Sequence, residues 1–115
     1  NELSSIIQLI IDNLDKIIAI GEVGLDKKYP KNISQWEDEV KVFKEMARLS
    51  VEYNKPLNIH SRGASKEVLE ILIKEGVENA YFHWFTGEED VLREIVSEGY
   101  YIGFTPSVLY SKRMM

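Results

Sequence analysis

The sequence predicts an α/β protein in which parallel strands alternate with helices. Short apolar runs rich in β-branched residues recur along the chain, and stretches of helical periodicity separate them. Such alternation favours parallel pairing with right-handed crossovers. The order is one helix, three strand–helix pairs and a last strand, which suits either an open sheet or part of a barrel. No linker interrupts it, so we expect one domain over residues 1–115.

Each predicted helix has one apolar stripe and a recognisable end. Apolar residues at i, i+3 and i+4 predict helices over residues 3–14, 34–53 and 65–75, and a fourth helix follows Thr86. Ser34 and Thr86 each precede a glutamate by three residues, which is the spacing of a capping box. Gly76 and Gly99 follow the third and fourth helices, where glycine commonly ends a helix.

The predicted strands are short, apolar and bounded by glycine, proline or polar residues. They run over residues 17–20, 57–59, 79–82 and 100–104. Continuous apolar runs of this length are typical of strands that are covered on both faces. Because these strands are expected to be parallel, their carboxyl ends should share one edge of the sheet.

The composition excludes several classes of function. The chain has no cysteine, which rules out a disulfide framework, a thiolate zinc site and a cysteine nucleophile, and which suits a cytoplasmic protein. No apolar stretch is long enough to cross a bilayer, so we expect no membrane partner. The net charge of -5 argues against coating of nucleic acid, although bound divalent cations would let an enzyme act on a polyanion.

Three side chains that commonly bind metals follow three of these strands. Glu22 lies in AIGEVGLD, His60 in PLNIHSRG and His83 in AYFHWFTG, and the chain has only these two histidines. Strand ends are where α/β scaffolds usually carry their chemistry, so the three groups should converge. Glutamate with two histidines suits zinc, manganese, nickel or iron, and magnesium if more carboxylates join. The sequence therefore predicts a metal-dependent hydrolase.

Two further residues lie close to this trio in the sequence. Arg62 comes two residues after His60, and its guanidinium could bind a phosphate or form an ordinary ion pair. Asp26 follows Glu22 in the next loop, where it could support a ligand from behind or cap the loop.

The motifs as a group resemble the TatD family of metal-dependent deoxyribonucleases, which are amidohydrolase-like TIM barrels. AIGEVGLD, PLNIHSRGA and YFHWFTG are similar to that family's glutamate, histidine-serine-arginine and later histidine motifs, and EGYYIGFTPSV is similar to its next strand and turn. The resemblance runs from Ile17 to about Val108. It implies that the chain forms about half of an eight-stranded barrel.

The resemblance also implies roles for individual residues. Glu22 would be a catalytic metal ligand, bridging two ions, while His60 and His83 would bind the second ion. Arg62 would be a catalytic and substrate-binding residue near the scissile phosphate of a DNA substrate. The ions would be divalent, drawn from zinc, manganese, magnesium and nickel. The family's His-x-His should precede Asn1 and its late aspartate should follow Met115, so we expect the fragment alone to be inactive or weakly active.

Two other functions remain open on the sequence. The first is a metal-dependent hydrolase whose substrate is a small ester, amide or lactone. The second is a catalytically silent fragment or interaction module, which would self-associate through its open sheet edges.

Overall fold

The computed structural model describes residues 2–27, 32–83 and 88–103. The elements in chain order are α1 (Glu2–Asp12), a short 3-10 turn (Leu14–Lys16), β1 (Ile20–Gly24), α2 (Ile33–Tyr53), β2 (Leu57–His60), α3 (Ser65–Glu75), β3 (Ala80–Phe82), α4 (Glu89–Ser97) and β4 (Tyr101–Ile102).

The four strands form one parallel sheet in the order β1-β2-β3-β4. Each strand pairs with the next one along the chain, and a helix connects each pair. The predicted α/β class with parallel strands is confirmed. All four carboxyl strand ends therefore lie at the same edge.

The core lies between one face of the sheet and the helices that pack on it. Leu57 and Ile59 of β2 are buried, whereas Asn58 and His60 between and after them are only half-buried. Successive strand residues point to opposite faces, so His60 belongs to the face away from the core. The fully buried side chains of the core include Phe43, Val68, Leu72, Phe82 and Ile95.

The first strand begins later than the sequence predicts. Residues 17–20 were expected to form it, but β1 runs from Ile20 to Gly24, and Ile18 is 89% exposed. Pairing with β2 determines where β1 begins, because the residues of the first strand lie opposite β2 only from Ile20 onward. Glu22 is consequently inside β1 instead of beyond it.

Two helix starts also differ from the prediction. α2 begins at Ile33 with Asn32 as its cap, whose side-chain oxygen accepts a hydrogen bond from the Gln35 N–H at 2.9 Å, so the Ser34 capping box is wrong. The asparagine side chain accepts a hydrogen bond from an unpaired backbone N–H of the first turn, which is the role predicted for the serine. The cap of α4 is Glu88, and the predicted Thr86 cap lies outside the described residues.

The third helix confirms its predicted bounds. α3 runs from Ser65 to Glu75, and Gly76 ends it in the left-handed conformation with φ of 76°. The last strand begins one residue later than predicted, because Tyr100 precedes β4. The predicted end at Phe104 lies outside the described residues.

Tyr100 is held by its hydroxyl group, which donates a hydrogen bond to the Val77 carbonyl at 2.7 Å. Burial raises the pKa of this hydroxyl, and the negative charge of Glu98 raises it further. The neutral phenol thus attaches the end of α4 to the turn after α3.

Within residues 2–27, 32–83 and 88–103, no helix is long and apolar enough to span a bilayer.

Candidate metal centre

Glu22, His60 and His83 meet at the carboxyl edge of the sheet. His60 Nδ1 lies 3.7 Å from one carboxylate oxygen of Glu22, and His83 Nε2 lies 3.7 Å from the other. Between 38% and 47% of each side chain's surface is exposed, so a solute can reach all three. One carboxylate thus faces both histidines of the chain.

An irregularity in β1 directs Glu22 toward the histidines. Gly21 pairs with Asn58 and Val23 pairs with Ile59, so Glu22 is an extra residue between two successive pairs. Such a bulge bends a strand and changes the direction of a side chain, and bulges are frequent beside active sites. The sequence analysis missed it, because a bulge is defined by the partner strand.

Gly24 allows β1 to approach β2 directly beside His60. A Cβ atom on Gly24 would lie 1.7 Å from the His60 carbonyl oxygen, and the φ of Gly24 is +149°. The same carbonyl accepts a hydrogen bond from the Leu25 N–H at 3.0 Å. Only glycine fits this close approach.

Asp26 holds the imidazole of His60 from behind. Its carboxylate Oδ2 lies 2.7 Å from His60 Nε2, and Asp26 is only 5% exposed. An ionised carboxylate only accepts hydrogen bonds, so Nε2–H is the donor. In the neutral ring this leaves the lone pair on Nδ1, which is the atom that faces Glu22. Asp26 therefore contacts His60, one of the predicted ligands, and its role as a support for a ligand stays a prediction.

Arg62 lies in the loop that follows His60. Its carbonyl accepts a hydrogen bond from the Lys27 N–H at 3.0 Å, so the loops after β1 and β2 run side by side. Lys27 in turn forms an ion pair with Glu67 of α3. These contacts fix the backbone of Arg62, two residues after His60.

The serine next to His60 is already engaged. Ser61 is 4% exposed, and its hydroxyl lies 3.1 Å from that of Ser65, which is also buried. Ala64 is the N-cap residue of α3, and it makes no side-chain hydrogen bond there. One of the two hydroxyls donates a hydrogen bond to the other.

Two neighbours of the site were not predicted from the sequence. The ring of Tyr81 packs edge-on to His83 with centroids 5.9 Å apart, and its position two residues before His83 on β3 could have indicated this. Glu39 of α2 accepts a hydrogen bond from the Asp26 N–H at 2.9 Å. No local pattern links a helix residue to a loop 13 positions earlier.

The imidazole and carboxylate donors of this centre suit a divalent ion. Among the described residues, these donors approach one another only two at a time. Two donors on one tetrahedral zinc ion are separated by about 3.4 Å, given metal–ligand distances of about 2.0–2.1 Å. The two 3.7 Å separations are close to this value. In the part of the chain that the structure describes, no three histidine or acidic side chains are grouped to hold one ion.

A parallel sheet with imidazole and carboxylate groups at its carboxyl edge is typical of βα-barrel proteins. A family model described as TatD related DNase matches residues 1–114 of the chain. The chain belongs to the TatD family.

Known members and solved structures agree with this assignment. The human deoxyribonuclease TATDN3 is 35% identical over 105 residues, and the Bacillus subtilis metal-dependent hydrolase YabD is 37% identical over 98 residues. The crystal structure of a TatD family hydrolase from Entamoeba histolytica superimposes with a TM-score of 0.80 at 28% identity. The half-barrel fold class predicted from the sequence is thereby confirmed.

The chain spans well under half the length of these relatives. It is covered to 89%, 84% and 97% by the three comparisons, but it covers only 38% of each of the three proteins. The relatives' names support the use of metal by the family and leave the metal's identity open.

Proposed function

We propose that the complete protein carrying this sequence is a divalent-metal-dependent hydrolase that cleaves DNA phosphodiester bonds. The observation that carries the proposal is the position of Glu22, which presents one oxygen to His60 Nδ1 and the other to His83 Nε2. A carboxylate flanked by two imidazole nitrogens is a nitrogen and oxygen donor set that suits divalent ions. The name of the human relative supports DNA as the substrate.

Each residue of the site has a role in this proposal. Glu22, His60 and His83 would hold the divalent ions, with Glu22 as the ligand common to both and the two histidines as ligands of the second, and Asp26 keeps His60 Nδ1 directed at Glu22. When bound, divalent ions supply a Lewis acid that stabilises charge on the phosphoryl oxygens. The ions would be zinc, manganese, magnesium or nickel.

Arg62 acts on the substrate in this proposal. Its guanidinium would form paired hydrogen bonds to the phosphate next to the scissile bond, which holds the strand in register. Together with bound cations, Arg62 would offset the net charge of -5 that otherwise repels DNA.

The cellular location and the self-association of the chain are further parts of this proposal. We place the protein in the cytoplasm, in keeping with the absence of cysteine. Residues 1–115 form part of one barrel domain. Expressed alone, they would self-associate through the outer edge of β1, which has no partner strand among the described residues.

The assay for this function uses the complete protein and single-stranded DNA with a labelled end. We expect cleavage with added Zn²⁺, Mn²⁺, Mg²⁺ or Ni²⁺, loss of at least about 10³-fold with EDTA, and recovery when metal is restored, since metal catalysis supplies several kcal/mol. Cleavage that survives EDTA at full rate would contradict the proposal.

A small-molecule hydrolase is the second candidate. The Bacillus relative is named only for metal dependence, without DNA. The same protein preparation should therefore be assayed on a panel of carboxylic esters, amides and lactones. Metal-dependent turnover of one of these, with intact DNA, would favour the second candidate.

A further inference from the structure

The carboxylate of Glu39 accepts a hydrogen bond from the backbone N–H of Asp26, the residue whose side chain contacts His60. We propose that Glu39 is a positioning residue for the His60 ligand, acting through the backbone of Asp26. The inference rests on the proposed function and adds to it a residue from α2, which supplies none of the predicted ligands.

Two hydrogen bonds on Asp26 connect Glu39 to the ligand. The Asp26 N–H donates to Glu39 Oε1 at 2.9 Å, and Asp26 Oδ2 accepts from His60 Nε2 at 2.7 Å. Both bonds involve a charged acceptor, which makes each stronger than a bond between neutral groups. Glu39 thus fixes the backbone of the residue whose side chain fixes the imidazole.

The loop after β1 shows why this anchor is needed. Leu25 and Lys27 donate their N–H groups to the carbonyls of His60 and Arg62, on the β2 side of the loop. The N–H of Asp26 between them points the other way, toward α2, as alternation in an extended chain requires. Hydrogen bonds to the β2 side alone would leave the loop free to rotate about the row of those bonds. The hydrogen bond to Glu39 restrains the loop from the opposite side.

The neighbour of Glu39 on α2 provides a matched control. Asp38 and Glu39 both line a cavity of 430 Å³ next to Glu22, so both carboxylates contribute negative charge near the centre. Asp38 is exposed, whereas Glu39 is half-buried and bonded to Asp26. Replacing Asp38 therefore removes charge from the cavity and keeps the anchor.

The experiment compares Glu39→Ala, Glu39→Gln and Asp38→Ala in the complete protein. Zn²⁺ affinity is measured by competition with a chromophoric chelator, and hydrogen exchange of the Asp26 amide is measured by NMR without metal. We expect Glu39→Ala to lower Zn²⁺ affinity about tenfold, at the low end for groups that support ligands. The Asp26 amide should exchange up to about tenfold faster, as loss of one hydrogen bond implies.

The two other variants separate a hydrogen bond from a charge effect. Glu39→Gln keeps an oxygen acceptor, although a neutral one, and should lose clearly less than Glu39→Ala in both measurements, whereas Asp38→Ala should match the wild type. If Glu39→Ala fails to fold, Glu39→Met keeps the side-chain length without the acceptor and takes its place. In that variant we expect the ¹⁵N signals of the His60 ring to show loss of the single Nε2–H tautomer.

Several results would overturn the inference. Wild-type amide exchange and Zn²⁺ affinity in Glu39→Ala would do so, and so would a Glu39→Gln variant as impaired as Glu39→Ala, because the effect would then be one of charge. If the wild-type protein binds none of Zn²⁺, Mn²⁺, Mg²⁺ and Ni²⁺, the proposed function fails instead. The exchange rate of the Asp26 amide still decides whether Glu39 anchors the loop.

Discussion

Glu22→Gln is expected to lower metal-stimulated DNA cleavage by the complete protein at least about 10³-fold, because ligand loss forfeits the several kcal/mol that metal catalysis supplies. Glutamine keeps the size of the side chain but lacks the charge that lets one carboxylate serve two ions. Both histidines face this single group, so its replacement affects both sides of the centre at once.

Glu78→Gln is the matched control for this substitution. Glu78 is an exposed carboxylate just before β3, at the opposite end of the strands from the metal centre. The control should cleave DNA at the wild-type rate with an unchanged thermal midpoint. Unaltered turnover in Glu22→Gln, with the fold intact by circular dichroism, would be incompatible with the proposed role of Glu22.

Gly24→Ala is expected to destabilise the protein by about 3 kcal/mol, the sum of an overpacking cost and the strain of a positive φ in a residue with a Cβ atom. The added methyl would meet the His60 carbonyl oxygen at 1.7 Å, so β1 must move away from β2. That movement breaks the bond from the Leu25 N–H and withdraws Glu22 from the histidines. Urea denaturation monitors the first effect, and Zn²⁺ titration monitors the second.

Gly76→Ala separates strain from collision. Gly76 also has a positive φ, of 76°, but a Cβ atom there would meet no atom within 4 Å. Its substitution should cost about 1 kcal/mol, the usual penalty for an L-residue in the left-handed region. Equal free energies of unfolding for the two variants would show that the approach of β1 to His60 is not as close as the structure has it.

The parts of the fold that local patterns govern were predictable from the sequence. The bounds of α3 follow from its apolar stripe and from Gly76, and the placement of His83 after β3 follows from the short run before it. Convergence of Glu22, His60 and His83 follows from parallel pairing. Each of these depends on residues that are close in sequence or on a general rule of chain topology.

Features that depend on a partner strand or a distant helix were not predictable. β1 begins at Ile20 because β2 sets its pairing, and Glu22 lies on a bulge that only the register reveals. The sequence left two roles open for Asp26, as a support for a ligand and as a loop cap. Its contact with His60 depends on how the loop after β1 approaches β2, which no local pattern encodes. Glu39 joins the site through a backbone N–H, a group common to nearly every residue.

The central claim is that Glu22 shares its carboxylate between metal sites that include His60 and His83. Anomalous diffraction at the zinc edge, on crystals of the complete protein grown with Zn²⁺, tests it most directly. We expect a peak about 2.0–2.2 Å from a Glu22 oxygen, with His60 Nδ1 and His83 Nε2 as further ligands. A peak that Glu22 does not touch, or one bound to His60 through Nε2 with Asp26 displaced, would contradict the claim.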